Sequence, residues 1–210
     1  MDSVERFSAA MDSLPLVAIM RGVRPEEAVG VGRALVEAGW RLIEVPLNSP
    51  QPLLSIERLA AALPEALVGA GTVLTPAAVR EVHAAGGRMI VAPNFNREVV
   101  RAAVDLGLPM LPGVLGASEA FSALEAGAVA LKLFPAEMIP PAAVKAMRAV
   151  LPPGARLLPV GGIGLDNMQA YRAAGADGFG IGSSLYRPGS SVVDVAASAR
   201  RWVKAFRAGS

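Results

Sequence analysis

The sequence predicts an α/β fold, specifically a single-domain (β/α)8 TIM barrel with a short N-terminal helix, spanning residues 1–210. Short apolar runs alternate with helical segments about eight times, at intervals of roughly 20 to 30 residues. Several helical segments end in Ala-Gly, and no linker or change of composition divides the chain. Eight strand–helix units in 210 residues fit a small barrel. A doubly wound parallel sheet shares the alternation and remains the alternative.

Each strand is predicted from a short apolar run bounded by Gly, Pro or polar residues. The predicted strands are 16–20, 41–45, 66–70, 88–92, 109–111, 127–135, 156–160 and 178–181. Helices are predicted where Pro or acidic residues open a segment that Gly ends, as in the helix from Pro25 to Ala38 before Gly39. The predicted helices are 2–12, 25–38, 50–63, 75–85, 96–106, 118–126, 140–150, 166–174 and 192–206.

Composition narrows the class of protein. Hydrophobic residues make up 53% of the chain against 18% charged, which excludes a disordered protein. The net charge is +2 and the basic residues are dispersed, so no nucleic-acid partner is predicted. The chain has no cysteine, its N-terminus lacks a signal-peptide core, and no apolar run approaches the ~20 residues of a membrane helix. We therefore expect a soluble, cytoplasmic protein with no membrane partner.

Lys132 is an unusual residue in an apolar strand, Gly-Ala-Val-Ala-Leu-Lys-Leu-Phe-Pro, at 127–135. Removing an ammonium from water is costly, so a lysine placed there tends to lose its proton, and a neutral amine is a nucleophile. The functional interpretation is a lysine that forms a Schiff base with a substrate carbonyl. The alternative is a lysine that reaches the mouth of the barrel or pairs with a carboxylate.

Glu44 occupies a comparable position in the strand 41–45, and Arg21 follows the strand 16–20. In both candidate folds, functional groups gather at the carboxyl ends of the strands. Side chains alternate along a strand, so Glu44 shares a face with Leu42, and Ile43 faces the helices. An inward carboxylate beside a nucleophilic amine could move protons. The alternative is a structural ion pair.

Glycine-rich loops follow the last two predicted strands. Gly161 and Gly162 come after one, and Gly182, Ser183 and Ser184 come after the other. Many barrels build a phosphate site from these two loops, because glycine lets backbone N–H groups approach an anion. Ordinary tight turns are the alternative. No cluster of His, Asp and Glu has the spacing of metal ligands, so no metal or other cofactor is predicted.

A series of motifs resembles the 2-keto-3-deoxy-6-phosphogluconate/6-phosphogalactonate aldolase family, in order and over nearly the whole chain. These motifs are VAIMRG (17–22), IEVPLNSP (43–50), GAGTV (69–73), VAPN (91–94), PG (112–113), ALKLFP (130–135), GGI (161–163) and GS (182–183). The stretch 44–51, Val160 and the segments 118–127 and 185–187 resemble the phosphogalactonate branch. Gly116 and Gly164 stand where the family often has Thr or Ser.

The resemblance implies a metal-independent class I aldolase that cleaves the phosphogalactonate keto acid to pyruvate and D-glyceraldehyde 3-phosphate. Under it, Lys132 forms the Schiff base and Glu44, oriented by Arg21, moves protons. The resemblance also implies the binding residues of a phosphorylated keto acid, which are Arg21, Thr72, Pro93 and Phe134 for the pyruvyl end and Gly161, Gly162 and Ser183 for the phosphate. It implies a homotrimer. The alternatives are an aldolase for the gluconate epimer or 4-hydroxy-2-oxoglutarate, and a non-catalytic or isomerase-type phosphate-binding barrel.

Overall fold

The computed structural model describes residues 1–208. Residues 209–210 of the predicted domain lie outside the described part. Helices and strands alternate along the chain, as predicted. The helices are α1 (Ser3–Ser13), α2 (Pro25–Glu37), α3 (Pro52–Ala62), α4 (Pro76–Ala84), α5 (Arg97–Asp105), α6 (Ala117–Glu125), α7 (Pro141–Val150), α8 (Met168–Ala173) and α9 (Val192–Ala208). The strands are β1 (Leu16–Ile19), β2 (Leu42–Pro46), β3 (Leu67–Gly71), β4 (Ile90–Val91), β5 (Met110–Leu111), β6 (Gly113–Val114), β7 (Leu131–Leu133), β8 (Leu157–Pro159) and β9 (Phe179–Ile181).

Local sequence explains where the helices begin. The Asp2 side chain accepts a bond from the Glu5 N–H and the Glu5 side chain accepts one from the Asp2 N–H, so α1 starts with a capping box. Thr75 and Asn96 accept backbone bonds in the same way at the starts of α4 and α5. Proline occupies the first turn of α2, α3, α4 and α7, where its missing N–H costs no helical bond.

All strand pairings within the described residues are parallel. One sheet has the order β5-β4-β3-β2-β1-β9, and the other has the order β6-β7-β8. Only Pro112 separates β5 from β6, and a parallel bridge between Val160 and Gly180 links the end of β8 to β9. The predicted α/β class is therefore confirmed, as a parallel fold whose strands alternate with helices.

Several predicted strands are shorter in the structure. The predicted strand 127–135 forms only as Leu131–Leu133, because Gly127 is left-handed (φ +105°) and the Ala128 N–H bonds the Ala123 carbonyl. Residues 127–128 thus end α6 instead of extending β7. The strand β6 was not predicted, since Pro112 and Gly113 are residues that usually interrupt strands.

Two apolar layers lie on either side of the strands. Leu42 belongs to an inner layer with Phe7 and Met11 of α1, whereas Ile43 and Val45 belong to the outer layer beneath the helices. The predicted alternation along β2 is therefore confirmed.

Helix α1 lies at the amino ends of the strands, where Arg6 donates hydrogen bonds to the Pro64 and Ala66 carbonyls just before β3. The predicted site is at the opposite, carboxyl ends. Within residues 1–208, no helix is long and apolar enough to span a membrane.

Candidate active site

Lys132 is buried in the middle of β7, with only 4% of its surface exposed. Its backbone pairs with Gly113 on one side and Leu158 on the other. The ammonium nitrogen Nζ lies 4.8 Å from the centroid of the Phe134 ring. Burial lowers the pKa of Lys132 below its usual value, and the Glu44 charge only partly opposes this effect. The strand therefore holds an amine that is biased toward its neutral, nucleophilic form.

Glu44 is buried to the same degree on β2, with 2% of its surface exposed. Burial raises the pKa of its carboxyl group, against the opposing charges of Lys132 and Arg21. Within residues 1–208, its atom Oε1 is buried without a hydrogen-bond partner. A buried carboxylate oxygen that lacks a partner is costly, and such groups often occur at functional sites. Burial therefore favours the protonated form of this carboxyl group.

Glu44 and Lys132 influence each other electrostatically but do not form a close salt bridge. The ion pairs shorter than 4.0 Å in the part of the chain that the structure describes do not include either residue. A structural ion pair, which was the alternative interpretation of both residues, is therefore not formed. Instead, an amine with a lowered pKa and a carboxyl with a raised pKa share one buried site.

Arg21 follows β1 and lies at the exposed rim of the site. Its Nη1 donates a hydrogen bond of 2.7 Å to Oδ1 of Asn48. The resemblance implied that Arg21 orients Glu44. In the described part of the chain, the two side chains form no hydrogen bond or ion pair, and the Arg21 guanidinium bonds the side-chain amide of Asn48 instead. Its positive charge nevertheless acts on both Glu44 and Lys132.

A cavity of about 450 Å³ opens beside Lys132 at the carboxyl ends of the strands. Six of the nine predicted site residues line it, namely Arg21, Lys132, Phe134, Gly161, Gly162 and Ser183. Glu44, Thr72 and Pro93 are not among the lining residues. Thr72 follows β3 with a left-handed backbone (φ +59°), which is a strained conformation for threonine. The Pro93 carbonyl packs against Gly113, where a side chain would collide with it.

Residues of both glycine-rich loops line this cavity. Gly161 (φ +99°) and Gly162 (φ +61°) both adopt a left-handed backbone conformation, which glycine tolerates best. The Ser184 hydroxyl donates a bond of 3.0 Å to the Ile163 carbonyl, which ties the two loops together. The Glu137 side chain lies beside both glycines, so that a methyl group on either would contact it. The predicted proximity of Gly161, Gly162 and Ser183 is therefore observed.

Two candidate residues were missed by the sequence interpretation. Arg187 lines the cavity beside Ser183, and its Nε donates a 3.0 Å bond to the Ser183 carbonyl. Asn48 bonds Arg21. Each follows a predicted strand within a few residues, so a search for polar side chains further along those loops would have identified both. Within residues 1–208, no group of three or more His, Cys, Asp or Glu residues is placed to hold a metal ion.

The fold and the site together define a class of protein. It is a parallel α/β enzyme with a buried amine and carboxyl group near the carboxyl ends of its strands and a glycine-rich cavity wall suited to an anion. A family model described as "Aldolase: KDPG and KHG aldolase" matches residues 7–197. The chain belongs to this family, whose members are carbon–carbon lyases.

Curated relatives and a solved structure agree with this assignment. The chain is 48% identical over 182 residues to the "probable 2-dehydro-3-deoxy-6-phosphogalactonate aldolase" of Rhizobium meliloti (strain 1021), covering 86% of each chain. It is 46% identical over 195 residues to the "2-dehydro-3-deoxy-6-phosphogalactonate aldolase" of Escherichia coli (strain K12), covering 92% of this chain and 95% of the relative. A solved structure described as "Native KDPGal structure" matches with a TM-score of 0.92 and 46% identity, covering 93% of this chain and 96% of that one.

Proposed function

We propose that the protein is a class I aldolase that cleaves 2-dehydro-3-deoxy-6-phosphogalactonate to pyruvate and D-glyceraldehyde 3-phosphate through a Schiff base on Lys132. The observation that carries the proposal is the buried pair of Lys132 and Glu44, whose pKa values are shifted toward the neutral forms. The shifts bias the pair toward a free amine, which is a nucleophile, and a protonated carboxyl group, which is a proton donor. These are the two groups that carbinolamine formation requires.

The first half of the reaction joins the enzyme to the keto acid. The lone pair of Lys132 Nζ attacks the C2 carbonyl carbon, and the carbonyl π electrons move to oxygen. A proton then passes from the nitrogen to this oxygen, giving a neutral carbinolamine. The protonated Glu44 carboxyl gives its proton to the departing hydroxyl, which leaves as water. The nitrogen lone pair then forms the C=N bond of the iminium. Arg21 lies at the rim of the cavity, where its charge could hold the substrate carboxylate.

The second half breaks the carbon–carbon bond. The Glu44 carboxylate removes the proton of the C4 hydroxyl, the aldehyde forms, and the electrons of the C3–C4 bond move toward the iminium to give an enamine. After the aldehyde leaves, Glu44 returns its proton to C3. Water then hydrolyses the regenerated iminium, and the proton that this step releases returns to the Glu44 carboxylate. Pyruvate leaves, and Lys132 is again a free amine. In our proposal, Thr72, Pro93 and Phe134 shape the pyruvyl end.

The phosphate of the substrate would bind where the two glycine-rich loops meet. Gly161 and Gly162 let the backbone approach an anion closely, and Ser183 lies on the opposing loop. Arg187 lines the same part of the cavity and would supply a positive charge. The Glu137 carboxylate lies beside the two glycines and would repel a phosphate. The positive charge of Arg187 would have to outweigh this repulsion.

The most specific part of the proposal is the preference for the galactonate epimer of the substrate over the gluconate epimer. It is supported by two relatives, 46% and 48% identical, that carry the phosphogalactonate name. The alternatives are the gluconate epimer and 4-hydroxy-2-oxoglutarate. We would measure kcat/KM for the galactonate phosphate, the gluconate phosphate and 4-hydroxy-2-oxoglutarate, which carries no phosphate. We expect the galactonate form to give the highest value, and a preference for the gluconate form would contradict the proposal.

We also propose the finer architecture that the sequence predicted. The bridge between Val160 and Gly180, and the direct continuation of β5 into β6 through Pro112, support a single closed (β/α)8 barrel. We also propose a homotrimer. Exposed apolar side chains, among them Met138 (66% exposed) and Val193 (75% exposed), are compatible with surfaces that become covered on assembly. Light scattering of the purified protein tests the trimer. The cytoplasmic location and the absence of nucleic-acid or membrane partners stay predictions.

A further inference from the structure

We propose that Asn48 and Ser49 are positioning residues that hold the loop after β1 and direct the Arg21 guanidinium toward the cavity. Each forms one hydrogen bond to this loop, Asn48 to the Arg21 side chain and Ser49 to the Gly22 backbone. The inference rests on the proposed function, in which Arg21 binds the carboxylate of the keto acid. It adds that the loop after β2, through Asn48 and Ser49, sets the position from which Arg21 binds the substrate carboxylate.

The turn that carries Asn48 and Ser49 is itself held firmly. The Leu47 N–H donates a bond of 2.8 Å to the Gly71 carbonyl at the end of β3. The Ser49 N–H closes the turn with a bond of 2.9 Å to the Pro46 carbonyl. Ser49 is also buried, with 7% of its surface exposed. The turn is therefore fixed to the sheet and can serve as a reference point for its neighbour.

Two consecutive residues of the loop after β1 bond two consecutive residues of this turn. The Gly22 N–H donates a bond of 2.9 Å to Ser49 Oγ, which fixes the backbone of the loop. Arg21 Nη1 donates a bond of 2.7 Å to Asn48 Oδ1, which fixes the direction of the side chain. Within residues 1–208, the bond to Asn48 is the one hydrogen bond of the Arg21 side chain. Without Asn48, this long and exposed side chain would sample many rotamers.

The opposite side of the loop is also constrained. The Met20 N–H bonds the Glu44 carbonyl at 2.8 Å, which continues the pairing of β1 with β2. Gly22 has a left-handed backbone (φ +80°) and packs against the Pro188 ring, so a side chain at this position would collide with proline. The Arg21 backbone is thus held between β2 and the loop after β9, and the amide of Asn48 supplies the remaining restraint on its side chain.

Asn48 is uncharged, and this matters for its role in positioning the Arg21 guanidinium. A carboxylate at this position would also align the guanidinium, but it would cancel much of the positive charge that a substrate carboxylate needs. An amide oxygen directs one N–H of Arg21 and leaves its net charge in place. Because that charge also acts on Glu44 and Lys132, the position of Arg21 influences both buried groups.

A double-mutant cycle of Arg21→Ala, Asn48→Ala and the double variant tests the inference. The readouts are KM and kcat with the phosphorylated keto acid, and the pyruvate concentration that half-saturates borohydride trapping. We expect Asn48→Ala to raise KM and the half-saturating pyruvate concentration about tenfold while kcat changes less than about twofold. In the Arg21→Ala background, Asn48→Ala should change neither value, because its effect passes through Arg21.

The outcomes separate the inference from the proposed function. If Arg21→Ala leaves KM and pyruvate binding unchanged, the carboxylate role of Arg21 fails and the inference fails with it. If Arg21→Ala weakens binding but Asn48→Ala does not, only the positioning role is overturned. An equal effect of Asn48→Ala with and without Arg21 would also overturn it, because it would show that Asn48 acts independently. Both side chains are exposed, so the variants are expected to fold.

Discussion

Gly71 at the end of β3 lies directly against the Glu44 carboxylate on β2, and a methyl group on Gly71 would overlap Oε1 of Glu44. The strands pair in parallel with Pro46 opposite Gly71, so the pleat brings the end of β3 close to the carboxylate. A glycine at this position is therefore what leaves room for a buried carboxyl group between two strands.

Gly71→Ala is predicted to displace Glu44 and to lower the stability of the protein by about 1–3 kcal/mol, as overpacking of a filled core does. Because the displaced carboxyl group loses its place near Lys132, turnover should fall at least about a hundredfold. Enzyme assays and thermal unfolding measure the two effects. Gly154→Ala is the matched control, since a methyl group there meets nothing within 4 Å. Wild-type activity of Gly71→Ala would contradict this account of the Glu44 site.

Glu44→Gln should slow turnover by about 10²- to 10⁴-fold, because the amide cannot exchange protons, while a trapped adduct on Lys132 still forms slowly. It should also change the pH dependence of trapping. At pH values where the Glu44 carboxyl group is ionised, its charge raises the pKa of Lys132 against the effect of burial, so replacing it with an amide should lower that pKa further. The neutral amine would then form at lower pH, and the midpoint of the pH profile for trapping should move down. An upward shift would contradict the assigned coupling.

The raised pKa of Glu44 also makes a prediction for stability. The folded protein keeps a proton on Glu44 at pH values where the unfolded chain has lost it. The contribution of Glu44 to stability therefore falls as pH rises, from the unfolded value of about 4.5 up through the raised folded value. Urea unfolding across this range should show a shallower fall for Glu44→Gln than for the natural protein. Parallel curves for the two proteins would contradict the burial of a proton-holding carboxyl group.

Arg187→Ala should raise KM for the phosphorylated keto acid about fivefold to tenfold, as expected for the loss of one partly solvated charge-assisted contact. Borohydride trapping with pyruvate, which has no phosphate, should be unchanged. Arg207→Ala is the matched control, because Arg207 is exposed near the end of α9. An equal loss with pyruvate and with the phosphorylated substrate would show that Arg187 does not act at the phosphate.

Much of the fold followed from local pattern. Apolar runs and Ala-Gly helix ends predicted the alternation of strands and helices, and the inward face of Glu44 followed from its spacing with Leu42. Strand lengths did not follow, because the extent of a strand depends on its partners. Residues 127–128 were predicted as strand and instead end α6, through the left-handed Gly127.

The site was predicted mainly where a residue type was unusual for its surroundings, as with Lys132 and Glu44. The partners of exposed residues could not be predicted, because they depend on how separate loops meet. The bonds from Arg21 to Asn48 and from Arg187 to Ser183 are of this kind. Thr72 and Pro93 lie at strand ends as expected, yet the cavity beside Lys132 does not include them.

The most direct test of the account is borohydride reduction in the presence of pyruvate, followed by mass spectrometry. We predict one reduced pyruvyl adduct, located on Lys132, in the natural protein and in the control Lys145→Ala, whose lysine is exposed on α7. Lys132→Ala should give no adduct and no turnover, and a chelator should leave the activity of the natural protein intact. Full turnover by Lys132→Ala, or an adduct only on another lysine, would contradict the Schiff-base mechanism.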